Sequence, residues 1–190
     1  TSKVSVLSVA AEAAGLLHDL GKYRTEFQQY IRGGLAKGNP LTHHKQAGAA
    51  KAFVARNPPV AFAIAGHHGG IPDLNDLRQA VCGPSGKAVA EQVWDTAVAD
   101  CPELAGVSFA LPAFDSKDPL SAELFTRLLF SCLVDADWTA TGEFERRAHN
   151  RPAEQKPPAL NPAVRFARLL DFIAERAKQV GPTPVAQIRE

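Results

Sequence analysis

Methionine is missing altogether from this sequence of 190 residues. A chain of that length without even an initiator reads as a trimmed or interrupted copy of its gene product, with some joins not contiguous in the native protein. Cysteine is scarce too. Cys82, Cys101 and Cys132 are odd in number, widely spaced and outside any CxxC pair, which excludes a disulfide framework and a cysteine zinc site. A reducing cytosol fits that usage. No apolar run approaches the roughly 20 residues needed to cross a bilayer. The opening TSKVSVLSVA lacks the charged start and long apolar core of a secretory signal. An intracellular, cytoplasmic protein with no membrane partner is expected. Charge of one sign is lacking as well: 21 basic side chains face 20 acidic ones, for a net charge of +1. No global field advertises a polyanionic partner, and any nucleic-acid contact must come from a local patch. Strand-like alternation, internal repeats and low-complexity tracts are absent.

What is present is a helical pattern with enough apolar residues, 45%, to bury a core. From Val4 to Leu20 the residues are apolar and Ala-rich, with Ala13, Leu16, Leu17 and Leu20 at helical spacing and Gly21 placed as a stop. This predicts a buried helix ending at His18-Asp19. After the loop GGLAKGNP, Thr42 is a plausible N-cap for a helix through Arg56, which places His44 in its first turn; Asn57-Pro58-Pro59 ends it. The run VAFAIAGHHGG is apolar up to the histidine pair and then meets Gly69-Gly70, so both imidazoles fall at a helix C-terminus. Asp73 is placed to cap another helix, and residues 87 to 100 are moderately amphipathic. Residues 101 to 118 mix Pro, Gly and Phe without a period and read as an irregular excursion, a lid or a partner surface. Asp118-Pro119 opens the strongest helix, through LSAELFTRLLFSCLVDADW, and Asn161-Pro162 opens an amphipathic one up to Gly181-Pro182. An all-α domain follows.

Five of the six histidines fall in three clusters, His18-Asp19, His43-His44 and His67-His68, each at or near a predicted helix end. Imidazole nitrogens together with carboxylate oxygens suit borderline divalent ions such as Mn, Fe, Co, Ni or Zn, and one carboxylate can bridge two ions. Two ions about 3.5–4 Å apart clamp the attacking and phosphoryl oxygens of an in-line hydrolysis. Taken singly, a His-Asp pair is more often a capping or core hydrogen bond, and a His-His pair at a helix end can simply complement the dipole.

The ordered motifs GLLHDLGK, HKQAGA, AGHHGG and LVDADW resemble the HD nuclease domain of the type I CRISPR-associated nuclease-helicase, from about Ala11 to Thr141. The resemblance implies an all-α HD-domain helical bundle over residues 1–150. Residues 151–190 then form a Pro-rich connector and C-terminal helix leading toward a helicase portion, whose GxxxxGK[ST] phosphate loop occurs nowhere in the chain. It further implies a metal-dependent nuclease of the prokaryotic cytoplasm that degrades single-stranded DNA at a target unwound by an RNA-guided surveillance complex. Its partners would be that DNA, the helicase portion of the same polypeptide and the complex. The cofactor would be one or two divalent ions drawn from Mn, Fe, Co and Ni, with Zn and Mg also admitted. Residue by residue, the resemblance assigns His18, Asp19, His44, His67, His68 and Asp137 to the metal, Asp19 as the bridge, and places Lys22 against a phosphate. Asp135 competes with Asp137, but residues two apart on a helix point about 200° apart, so only one faces the site. The family usually carries a further metal-binding His upstream of the HD pair, and this chain has none before His18.

Candidate phosphate contacts are Lys22, Arg24, Arg32, Lys37 and Lys45. Tyr23, Phe27 and Tyr30 are candidates to stack bases, although a Phe27, Tyr30 and Ile31 set at helical spacing more often marks core packing. Two other functions fit the same residues: an HD phosphohydrolase acting on nucleotides or cyclic nucleotides, and a docking module for a surveillance complex or an inhibitor.

Overall fold

The structure is a computed structural model that describes residues 6–36, 38–39, 42–114, 118–152 and 161–180. Every regular element among the described residues is a helix, with no strand. The all-α bundle expected from the periodicity is what forms. Two compact units are distinguished, Thr1–His149 and Asn150–Glu190.

In the first unit α1 spans Val6–Leu17, a 3-10 helix Leu20–Tyr23, and α2 Thr25–Ile31. Then come α3 Lys45–Val54, α4 Pro58–Gly66, α5 Leu74–Cys82, α6 Lys87–Asp100, a second 3-10 helix Pro102–Gly106, and α7 Pro119–Ala148. The second unit contributes α8, Pro162–Val180. Its start is capped by the Asn161 side chain, which accepts from the Val164 amide at 3.3 Å, and it exposes Val164, Phe166, Leu169, Leu170 and Ile173.

The core is organised around α4, whose residues are apolar on every side and buried almost without break from Pro59 to Gly66. A helix that is hydrophobic all round has to be enclosed by other helices; α1, α3, α5 and α7 pack against it. Its start explains the fully buried Asn57. The Asn57 Oδ1 accepts from the Val60 amide at 3.1 Å, and its Nδ2 donates to the Phe109 carbonyl at 3.3 Å. Asn57 therefore begins α4 rather than ending α3, with Pro58 at the first helical position where no amide is needed.

Three local expectations are corrected. α1 stops at Leu17, one residue before His18. Gly21 is not a left-handed stop: it lies inside the first 3-10 helix, where a Cβ would come within 2.2 Å of the His44 carbonyl oxygen, so its role is close backbone approach. His44 sits at the N-cap position of α3 instead of in its first turn, and the Thr42 hydroxyl donates to the Asn39 carbonyl. Gly48 makes the companion approach on α3, where a Cβ would meet the Leu17 carbonyl oxygen. These two glycines let α3 press against the end of α1, which brings His44 beside Asp19.

The stretch after α6 is irregular, as its composition predicts, but residues 101–114 are not a loose lid. Leu104 is buried, Val107 and Phe109 pack on the core, and the Phe109 carbonyl is held by Asn57. Residues 115–117 lie outside the described residues.

Candidate metal centre

Four elements converge on one point. His18 and Asp19 occupy the turn between α1 and the first 3-10 helix, His44 stands at the start of α3, His67 and His68 close α4, and Asp137 projects from the middle of α7. Helix ends supply this geometry because their last carbonyls have no intrahelical donor. His18 Nδ1 donates to the Gly15 carbonyl at 2.6 Å, and His67 Nδ1 donates to the Ile64 carbonyl at 2.6 Å. A carbonyl can only accept, so each Nδ1 carries hydrogen and each Nε2 is turned inward as the remaining nitrogen. Gly70, at φ +94°, bends the chain back after the histidine pair and returns its amide to the Gly66 carbonyl at 2.8 Å.

The distances among donors are short. His18 Nε2 lies 3.1 Å from Asp19 Oδ2 and 3.7 Å from Asp137 Oδ1. His44 Nε2 lies 3.0 Å from His68 Nε2 and 3.5 Å from Asp19 Oδ1. One nitrogen from each of His44, His67 and His68 falls within 4.8 Å of the other two. The rings of His67 and His68 sit 3.9 Å apart, and His18 and His67 meet edge to face at 5.3 Å. Lys22 Nζ contacts Asp19 Oδ2 at 2.6 Å.

Two atoms in this cluster test whether it fits an ion. Asp19 Oδ1 and His67 Nε2 are buried and make no hydrogen bond. A buried polar atom left without a partner costs about 1–3 kcal/mol, and two such atoms within one cluster of imidazoles and carboxylates are what a divalent cation would satisfy. The donor set, imidazole nitrogen plus carboxylate oxygen, is of the same borderline character.

The electrostatics agree. Burial, reinforced by Lys22 and the two neighbouring imidazoles against the pull of Asp19, lowers the His44 pKa to about 4. Burial likewise lowers His67 and His68. These three are neutral, ligand-ready bases at neutral pH. Burial alone would lower His18 too, but the hydrogen bond and charge of Asp19, the Gly15 carbonyl and Asp137 together outweigh it and raise its pKa. Against the upward push of burial on Asp19, His18 and Lys22 hold that carboxylate far below its ordinary range.

On α7, Asp137 follows buried Leu129 and Leu133 at successive intervals of four residues, which puts all three on one face. Asp135 is exposed on another face. All six residues assigned to the metal are thus brought together, with Lys22 against Asp19; His43 is exposed beside the cluster, outside it. Sequence reasoning passed over Gln46, whose Oε1 is buried and unpartnered. It also passed over the orienting carbonyls of Gly15 and Ile64. Their signal was present, since a His just past a helix end lies within reach of the carbonyl three residues back. An apolar groove of about 470 Å³ lined by Pro58, Phe62, Ile71, Leu111 and Phe114 has the volume of a ligand site but not the donors for this chemistry.

No helix among the described residues is long and apolar enough to cross a membrane. No curated protein and no solved structure matches the chain. A family model described as Cas3, HD domain, matches residues 5–143, nearly three quarters of the sequence and the whole stretch that builds the cluster. The chain belongs to the Cas3 HD domain family, the metal-dependent HD nucleases of CRISPR systems.

Proposed function

We propose that this chain hydrolyses the phosphodiester bonds of single-stranded DNA with one or two divalent ions held by His18, Asp19, His44, His67, His68 and Asp137. The observation that carries the reading is the pair of buried, unpartnered atoms, Asp19 Oδ1 and His67 Nε2, at the meeting point of four helical elements. Bound ions of the Mn, Fe, Co or Ni type, or Zn or Mg, would supply Lewis acidity toward a phosphoryl oxygen and toward water. The protein's own part is positional. The Gly15 and Ile64 carbonyls fix the tautomers of His18 and His67, which holds their Nε2 atoms inward. Lys22 holds one oxygen of Asp19 and leaves the other toward His44, and its ammonium places positive charge at the edge where a phosphate would lie.

Within the family's setting, the substrate strand would come from a target opened by an RNA-guided surveillance complex. The helicase portion of the same polypeptide would feed that strand to the site from beyond the connector that begins near residue 151. Purified chain supplied with Mn(II) or Ni(II) should cut labelled single-stranded DNA, and Asp19→Ala or His18→Ala should abolish cutting. Hydrolysis confined to mononucleotides or cyclic nucleotides in the same panel would replace this reading with a nucleotide phosphohydrolase. Cutting that survives both alanine variants would leave the docking function as the better account.

A further inference from the structure

Beside the His44 and His68 edge of the centre lies a cavity of about 420 Å³, lined additionally by Tyr30, Thr42, His43, Lys45 and Gln46. Its volume falls in the roughly 300–1,000 Å³ range of small-ligand sites. No acidic side chain lines it. We propose that this cavity is a nucleotide subsite that seats one residue of a single strand next to the scissile phosphate, its base on the Tyr30 ring and its phosphate on Lys45. The inference rests on the nuclease reading above and adds to it the side of the centre on which the strand lies.

The structure separates these two residues from the other candidates of their type. Lys22 is engaged by Asp19 at 2.6 Å. Arg24 is buried and bonded to Glu26 at 2.9 Å and to the Ser85 hydroxyl. Phe27 is buried, its ring centroid 5.2 Å from that of His44 in an edge-to-face contact, and the Tyr23 hydroxyl donates to Asp100 at 2.6 Å. Arg32 does not line the cavity, and Lys37 lies outside the described residues. Among the described residues Lys45 has no carboxylate at ion-pair distance, and its charge is felt at His68. Tyr30 is half-buried and steadied by Phe27 at 6.0 Å, so a face remains for stacking at little ordering cost. Gln46 adds the third element of nucleotide recognition. Its buried, unpartnered amide oxygen is an acceptor that a base amino group would satisfy, a group that thymine lacks.

The test is anisotropy of a short labelled single strand with the intact chain, over a range of salt, alongside Mn(II) titration calorimetry. Tyr30→Ala should weaken binding by about tenfold, and the loss should vanish on an abasic strand. Tyr30→Phe should restore it. Lys45→Ala should flatten the logarithmic salt slope by about 0.7, one phosphate contact on a single strand. Both variants should keep the wild-type Mn(II) affinity. Lys45→Ala changes a partly exposed residue at the first position of α3, so it carries the test even where Tyr30→Ala does not fold. Wild-type protein that binds and cuts the strand, with neither variant moving affinity or salt slope, overturns the subsite and leaves the nuclease reading standing. A wild-type chain that neither binds nor cuts the strand overturns both.

Discussion

Gly21→Ala adds one methyl group and should disable the centre without altering the side chain of any proposed ligand. The new Cβ would stand 2.2 Å from the His44 carbonyl oxygen, 2.6 Å from its Cα and 2.7 Å from its carbonyl carbon. Ordinary contact begins at 3.4 Å, so the two backbones must separate by about 1 Å, and no flexible side chain can absorb the change. His44 would move with its backbone, away from His68 Nε2, now at 3.0 Å, and Asp19 Oδ1, now at 3.5 Å. Ligands have to be held within about 0.5 Å of productive geometry, and a 1 Å misplacement costs about a hundredfold in rate. The expected result is a Mn(II) affinity reduced by about 10–100-fold in calorimetry and cleavage reduced by about a hundredfold. Overpacking should also cost about 1–3 kcal/mol in a denaturant melt. Gly15→Ala is the control. Nothing lies within 4 Å of its Cβ, and it faces solvent within α1, so it should be neutral or stabilise by about 0.5–1 kcal/mol while the carbonyl that orients His18 remains. A folded Gly21→Ala protein that binds Mn(II) as tightly as wild type would refute the argument that this close approach positions His44.

Asp137→Asn should lower metal affinity measurably, whereas Asp135→Asn, on the exposed face, should leave it unchanged; equal effects in calorimetry would reject the face assignment. Asn57→Ala removes the cap of α4 and the tether to Phe109 together, and a thermal or urea melt should show a loss of about 2 kcal/mol. Chelated protein should lose stability on acidification. The folded His44 pKa of about 4 lies below the ordinary imidazole value of 6.5, so its contribution is present above pH 6.5 and is lost as pH falls toward 4. That loss is at most about 3 kcal/mol. His67 and His68 act in the same direction, Asp19 extends the loss below pH 3.8, and His18, raised, opposes it by losing its contribution as pH rises. A melt temperature flat from pH 7 to 4 would contradict this balance. Metal affinity should climb with pH through the His18 titration, because an ion must displace its proton; calorimetry in buffers of different ionisation enthalpy reads the release directly.

Much of this was legible from residue order because the site is built from helix ends, and helix ends have local signatures. The His67-His68-Gly69-Gly70 run identified its own position at the end of α4, and Asp118-Pro119 identified the start of α7. That Asp137 and not Asp135 lies on the cluster's side of α7 was legible too, although the stronger reason lay two turns upstream, in the interval of four from Leu129 to Leu133 to Asp137. What could not be read were contacts between elements distant in sequence. Gly21 stands in a GK dipeptide after an apolar run and locally resembles a helix stop; only the arrival of His44 against it reveals a residue chosen for lacking a Cβ. Asn57 likewise resembles a terminator until its amide is seen holding Phe109. The excursion from 101 to 114 has no period because its apolar residues fill gaps left by other helices, and such gaps have no sequence signature.

These long-range contacts also explain why the centre combines stability with strain. An enclosed α4 and two glycine contacts force four imidazoles and two carboxylates into one small volume, where burial keeps three imidazoles neutral and leaves Asp19 Oδ1 and His67 Nε2 unpaired. Each unpaired atom opposes folding by about 1–3 kcal/mol, a cost met by the Ala-rich core around α4. The consequence is preorganisation. Three imidazoles already neutral, with His67 oriented by the Ile64 carbonyl, require little rearrangement to receive an ion, so little binding energy is spent on ordering them. The same rigidity predicts that the backbone under His44 matters to ion binding as much as its imidazole, since Gly21 packs directly against that backbone.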